Sequence, residues 1–113
     1  MATATFIQQG DSIDYTPGAA VSAGDVVVIN DLIGVAKRDI AANTLGSIDV
    51  AGVFEFPKAS GVGTAIGAGL DVFWDAGNTE ATADSGGGTN KKIGRSVLAA
   101  DDDATTVRVR LSQ

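Results

Sequence analysis

Val21-Ser22-Ala23-Gly24-Asp25-Val26-Val27-Val28-Ile29-Asn30-Asp31-Leu32-Ile33-Gly34-Val35-Ala36 reads as a tight turn, a strand, a second turn and a return strand. Gly24 takes a positive φ without steric cost, which suits a sharp reversal. Asp25 can accept hydrogen bonds from nearby amides and close that turn, so its context points to turn chemistry and not to a ligand. Val26 to Ile29 is a β-branched run, the composition of a pleated and largely buried strand. Asn30-Asp31 is a turn signal, and Ile33-Gly34-Val35-Ala36 begins the way back.

A weaker copy of this unit follows as Ile66-Gly67-Ala68-Gly69-Leu70-Asp71-Val72-Phe73-Trp74 and then Ile93-Gly94-Arg95-Ser96-Val97. Each copy has a Gly and Asp turn, an apolar strand, an Ile-Gly strand and then an alternating strand. The second carries extra residues between its first and second strands. The pattern predicts two related β units closing one small barrel or two-sheet sandwich of about eight or nine short strands, all-β with little helix.

Composition agrees. The 113 residues include 15 Gly and only two Pro, and Ala, Thr and Val outnumber Leu and long charged side chains. One domain is expected at this length, burying roughly two-thirds of its unfolded surface. The formal net charge is −6, which disfavours phosphate backbones and anionic membrane surfaces alike. The chain has no cysteine and no histidine, so disulfides, thiol chemistry, Cys-metal sites and the commonest acid–base residue are missing. Met1 to Thr5 lacks the basic and apolar regions of a signal peptide, and no apolar run approaches membrane-spanning length. The expectation is a protein made in a cytoplasm.

Along the chain, Met1 to Thr5 is small and polar and is expected to be a mobile arm, with residues 6–113 as a single β domain. Phe6 to Gln9 and Ser12 to Tyr15 read as short strands split by Gly10-Asp11. Ile48, Val50, Phe54 and Phe56 share one parity with Gly52 between them, which predicts one strand with those four side chains on one face and a bulge or close approach at Gly52. Pro57 should end that strand. Lys58 to Gly69 reads as a loop with room for a short helical turn. Asp71 to Asp75 is the second buried strand, Ala76-Gly77-Asn78 a hairpin tip and Thr79 to Ala83 the short return. Asp84 to Asn90 is a flexible loop. Lys91 to Leu98 is a strand, Asp101-Asp102-Asp103 a turn, and Thr106 to Leu111 alternates with Val107, Val109 and Leu111 inward and both arginines outward.

Five kinds of site chemistry each lack a part of their pattern in this chain. Gly86-Gly87-Gly88-Thr89-Asn90-Lys91-Lys92 has glycines and lysines out of register for a phosphate loop, and no helix pattern follows. Asp101-Asp102-Asp103 lacks the alternating ligands and distal Glu of a calcium loop. Asp71, Asp75, Glu80 and Asp84 could supply a carboxylate pair for glycoside hydrolysis, with Asp71 and Asp75 on one strand face, but aromatic sugar platforms are absent. Phe73 and Trp74 face opposite sides, one in the core and the other free for an interface. The Val-x-Ala-Gly-Asp turn also occurs in lipoyl- and biotin-carrier hammerheads, yet neither Lys37 nor Lys58 sits in the hairpin context those need. Serine catalysis lacks its histidine base. Taken together the residues predict no enzyme, with no catalytic, cofactor-binding or metal-binding residues.

Laid out in order, the chain resembles the DUF2190 family of phage capsid cement (head decoration) proteins. The matching pieces are Phe6-Ile7-Gln8-Gln9-Gly10-Asp11 with Ile13 to Pro17, Val21 to Val27, Ile33 to Ala36, Val50 to Lys58, Asp71 to Asp75, Ile93-Gly94-Arg95 and Val107 to Leu111. Asp84 to Asn90 departs from the pattern as a length variation. The resemblance implies a small β-rich protein of a phage or prophage, made in the host bacterial cytoplasm. It would sit on the outside of the assembled head, contact the major capsid protein and reinforce it as a homotrimer. It implies no cofactor and no nucleic-acid, membrane or small-molecule partner. The alternative is a β-rich binding or adhesion module displayed on the particle; a carrier or enzyme ranks last.

Overall fold

The computed structural model describes Ala4, Thr5, Ile7 and residues 10–111. Most of the strand expected at Phe6 to Gln9 and most of the expected arm lie outside those residues. Within them, alternation and turn chemistry build nine strands. They are β1 (Ser12–Tyr15), β2 (Val26–Ile29), β3 (Leu32–Val35), β4 (Gly46–Asp49), β5 (Gly52–Pro57), β6 (Asp71–Asp75), β7 (Glu80–Thr82), β8 (Lys91–Ser96) and β9 (Thr106–Leu111). All pairings between these strands are antiparallel. A first sheet has the order β1-β4-β3-β2 and a second the order β5-β9-β8-β6-β7, so the fold is a two-sheet sandwich and not a closed barrel.

The repeat read in the sequence is a repeat of topology. Strands β2, β3, β4 and β1 of the first sheet occupy the places of β6, β8, β9 and β5 in the second. Val27 opposite Gly34 matches Val72 opposite Gly94, and Val35 opposite Asp49 matches Arg95 opposite Arg110. The isolated bridges Val21–Ile40 and Ile66–Ala100 also correspond. The extra residues of the second unit form β7, which pairs with β6 and becomes an edge strand.

The turns behave as their residues dictate. Gly24 adopts φ 91°, and the Asp25 carboxylate accepts the Ser22 amide at 3.0 Å. Asn30-Asp31 closes the two-residue loop between β2 and β3, with Asn30 at φ 52°. In the longer hairpin between β6 and β7, Asp75 accepts the amides of Gly77 and Asn78.

Each unit has its own apolar cluster. Val27, Ala36, Ile40 and Ile48 form the first, on one face of the first sheet. The opposite face contributes Ile33 and Val35 to the larger cluster of the second unit, where Phe56, Val72, Trp74 and Val109 are buried. Trp74 is the core member of the adjacent aromatic pair, edge-on to Phe56 with ring centroids 6.1 Å apart, while Phe73 is only half-buried. Lys91 reaches Asp31 at 2.8 Å and ties the tip of the β2–β3 hairpin to the second sheet.

Three expectations are corrected. Ile48 to Phe56 is not one strand: the chain leaves the first sheet after Asp49 and enters the second at Gly52, whose φ of 118° suits the turn between them. Ile48 therefore lies in the first cluster and Phe56 in the second. Strand β2 is not largely buried; only Val27 is, because a strand near a sheet edge covers one face and leaves Val28 exposed. No helical turn forms in Lys58 to Gly69, which is held instead by the Ile66–Ala100 bridge, and the only 3-10 turn among the described residues is Gly86–Gly88. The ending at Pro57 and the in–out alternation of β9 stand as read.

Candidate functional site

Several carboxylates singled out in the sequence are engaged in building turns. Asp75 closes the β6–β7 hairpin, and its second oxygen accepts the Asn78 side-chain amide at 2.8 Å. Asp84 accepts the Gly86 amide at 2.8 Å and so starts the Gly86–Gly88 turn. Asp101 accepts the Asp103 amide, whereas Asp102 reaches across to the amides of Thr64 and Ala65 at 3.2 and 2.9 Å. The three adjacent aspartates thus point to different partners. Asp102 is half-buried and joins two loops, which a run of three aspartates does not reveal.

Of the four carboxylates weighed for hydrolysis, the fold brings together only Asp75 and Glu80, register partners across the hairpin. They line a hollow of about 160 Å³ with Lys58. Lys58, at the start of the loop expected from the sequence, is only 5% exposed. Its ammonium donates to Ala59 O at 2.7 Å, Thr64 Oγ1 at 3.2 Å and Ala104 O at 3.2 Å. Three neutral oxygens satisfy it, and it clamps two loops. The glycine-rich turn runs into β8 and not into a helix. Among the described residues, no group of three or more acidic, histidine or cysteine side chains could hold a metal ion, and no helix is long and apolar enough to cross a membrane.

The distinctive surface is the outward face of the second sheet. One row crosses four strands as Val53, Arg110, Arg95 and Asp71. Asp71 accepts Arg95 Nε at 3.2 Å and lies 3.4 Å from Lys92 Nζ. Partial desolvation pushes the Asp71 pKa up, but the hydrogen bond from Arg95 and the charge of Lys92 outweigh it and hold the carboxyl below its usual range. Asp31 is likewise lowered, by its hydrogen bond to Lys91 and by that charge. Next to this row, Glu55 faces Arg108 in register but accepts the Thr106 hydroxyl at 2.7 Å. Three of the four arginines thus share one face of an acidic chain.

Sheet registers, hollows and bound carboxylates describe a body built from shape and surface charge. No curated protein and no solved structure matches the chain. A family model described as phage cement protein matches residues 7–111, a span that holds all nine strands. By that nearly full-length match, the chain belongs to the phage cement protein family.

Proposed function

We propose that this protein decorates the outside of an assembled phage head, binds the major capsid protein there as a homotrimer and stabilises the shell without catalysis. The carrying observation is the family match over residues 7–111, which covers the whole sandwich and not one motif within it. The physical character of the chain supports the reading. Its carboxylates close turns and its buried cation clamps loops, so polar groups are spent on rigidity. A formal charge of −6 keeps many copies soluble when crowded on one particle. Residues 1–5 add to the attachment to the shell.

The test mixes purified protein with undecorated heads and measures co-sedimentation and the temperature at which particles lose their DNA. Decorated heads should resist a higher temperature. Failure to sediment with heads would end this reading. Deleting residues 1–5 should weaken head binding while the melting temperature of the free protein stays unchanged.

A further inference from the structure

We propose that the outward face of the second sheet, centred on Arg110 and Arg108, is the surface that docks onto the head, and that it meets a carboxylate-bearing patch of the shell's outer surface. The proposal rests on the head-decoration reading and adds the face and the chemistry of its partner.

Arg110 lies directly opposite Arg95 in the β8–β9 register. Like charges at that spacing are unfavourable in an isolated sheet. Arg95 is offset by Asp71, but neither the Arg110 nor the Arg108 guanidinium has a hydrogen bond or ion pair among the described residues. Both are exposed and two residues apart on β9. Guanidinium forks are less hydrated than ammonium groups and bind carboxylates through two parallel bonds, so an incoming acidic patch would relieve the repulsion. Around them lie exposed apolar side chains, Val53 at 56%, Val97 at 46% and Leu98 at 55%. Arginine set among apolar side chains is the composition of interface centres.

The internal repeat supplies a second argument. In the first unit the positions equivalent to Asp71 and Arg95 are Val26 and Val35, cross-strand partners that pack into the core of the second unit. The same face of the repeated unit is therefore a docking face inside the molecule. In the second unit it is open and charged, which suits a separate acidic partner. A two-fold contact centred on Arg110 would set arginine against arginine, so that self-contact is disfavoured.

The test compares Arg108→Glu/Arg110→Glu with Arg38→Glu, an exposed arginine outside this face that also lacks a partner among the described residues. Co-sedimentation with undecorated heads reads affinity, and light scattering reads the mass of the free protein. The double variant should lose at least about tenfold in affinity and Arg38→Glu less than about twofold. Arg110→Glu turns a like-charge pair into an opposite one while Arg108→Glu sets a carboxylate opposite Glu55, so the two changes offset and the melting temperature of the double variant should change little, which separates lost docking from lost folding. If it falls, Arg108→Gln/Arg110→Gln is read in the same way. Wild-type protein that binds heads while both double variants bind within about twofold of it would overturn the docking face alone. A changed free-protein mass with head binding intact would overturn it too, assigning the face to contacts between copies. Wild-type protein that ignores heads would overturn both readings.

Discussion

At the scale of single residues, two positions fix geometry that their neighbours cannot. A Cβ on Gly34 would stand 2.6 Å from Ile48 Cδ1 and 3.1 Å from the Asp49 carbonyl oxygen. Ile48 is fully buried and the carbonyl is backbone, so neither can move cheaply. Gly34→Ala should destabilise the fold by about 1–3 kcal/mol, measured by denaturant unfolding. Lys58 is the second position. Lys58→Met keeps the length and apolar stem but takes the ammonium donor from Ala59 O and Ala104 O, while the Thr64 hydroxyl keeps its bond to Gly61 O. Removing the ammonium also removes its desolvation cost, but the lost bonds to the half-buried carbonyls outweigh that where every bond was made. The expected loss is about 1–3 kcal/mol, with hydrogen exchange accelerating first in residues 59–64. Unchanged exchange there would show that the clamp does nothing.

At the scale of elements, β9 and the β2–β3 hairpin were legible because parity and turn residues agreed with burial on one face. The crossing from β4 to β5 was not. Ile48, Val50, Phe54 and Phe56 keep parity straight through a change of sheet, and periodicity cannot see which sheet a strand joins. Gly52 is the visible signal: in the sequence it suggests a bulge or a close approach, and in the fold its φ of 118° marks the entry into the second sheet. Gly52→Ala forces a side chain into that conformation and should cost about 1–3 kcal/mol, again read by denaturant unfolding. Two exposed ion pairs contribute to the acid response. Asp31 and Asp71 are held below their usual pKa, so their contribution is present above the unfolded value and fades as pH falls through the lower folded one. Asp31→Asn and Asp71→Asn should each flatten the decline of melting temperature below about pH 4, the usual carboxylate range. The docking arginines were read only as outward-facing, since their cross-strand neighbours follow from register and no local pattern encodes it.

At the scale of the whole molecule, two copies of one unit have been given opposite tasks. The first unit buries Val35 and places Val26 against its sister, while the second carries Arg95 and Asp71 at the same positions in the open. Shape is thus shared and only surface chemistry differs. A body that joins its halves by apolar contact and its partner by guanidinium groups should respond to salt in two ways. Apolar burial is not screened, so the melting temperature of the free protein should change little between low and high ionic strength. Head binding should weaken, because the Debye length falls from about 10 Å at 0.1 M to about 3 Å at 1 M salt. Measuring co-sedimentation across that range, beside the melting temperature of free protein, separates the two contributions. Binding that holds constant while the wild-type protein remains folded would mean that apolar contacts such as those of Val53 and Leu98 carry the attachment, and that the arginines only orient it.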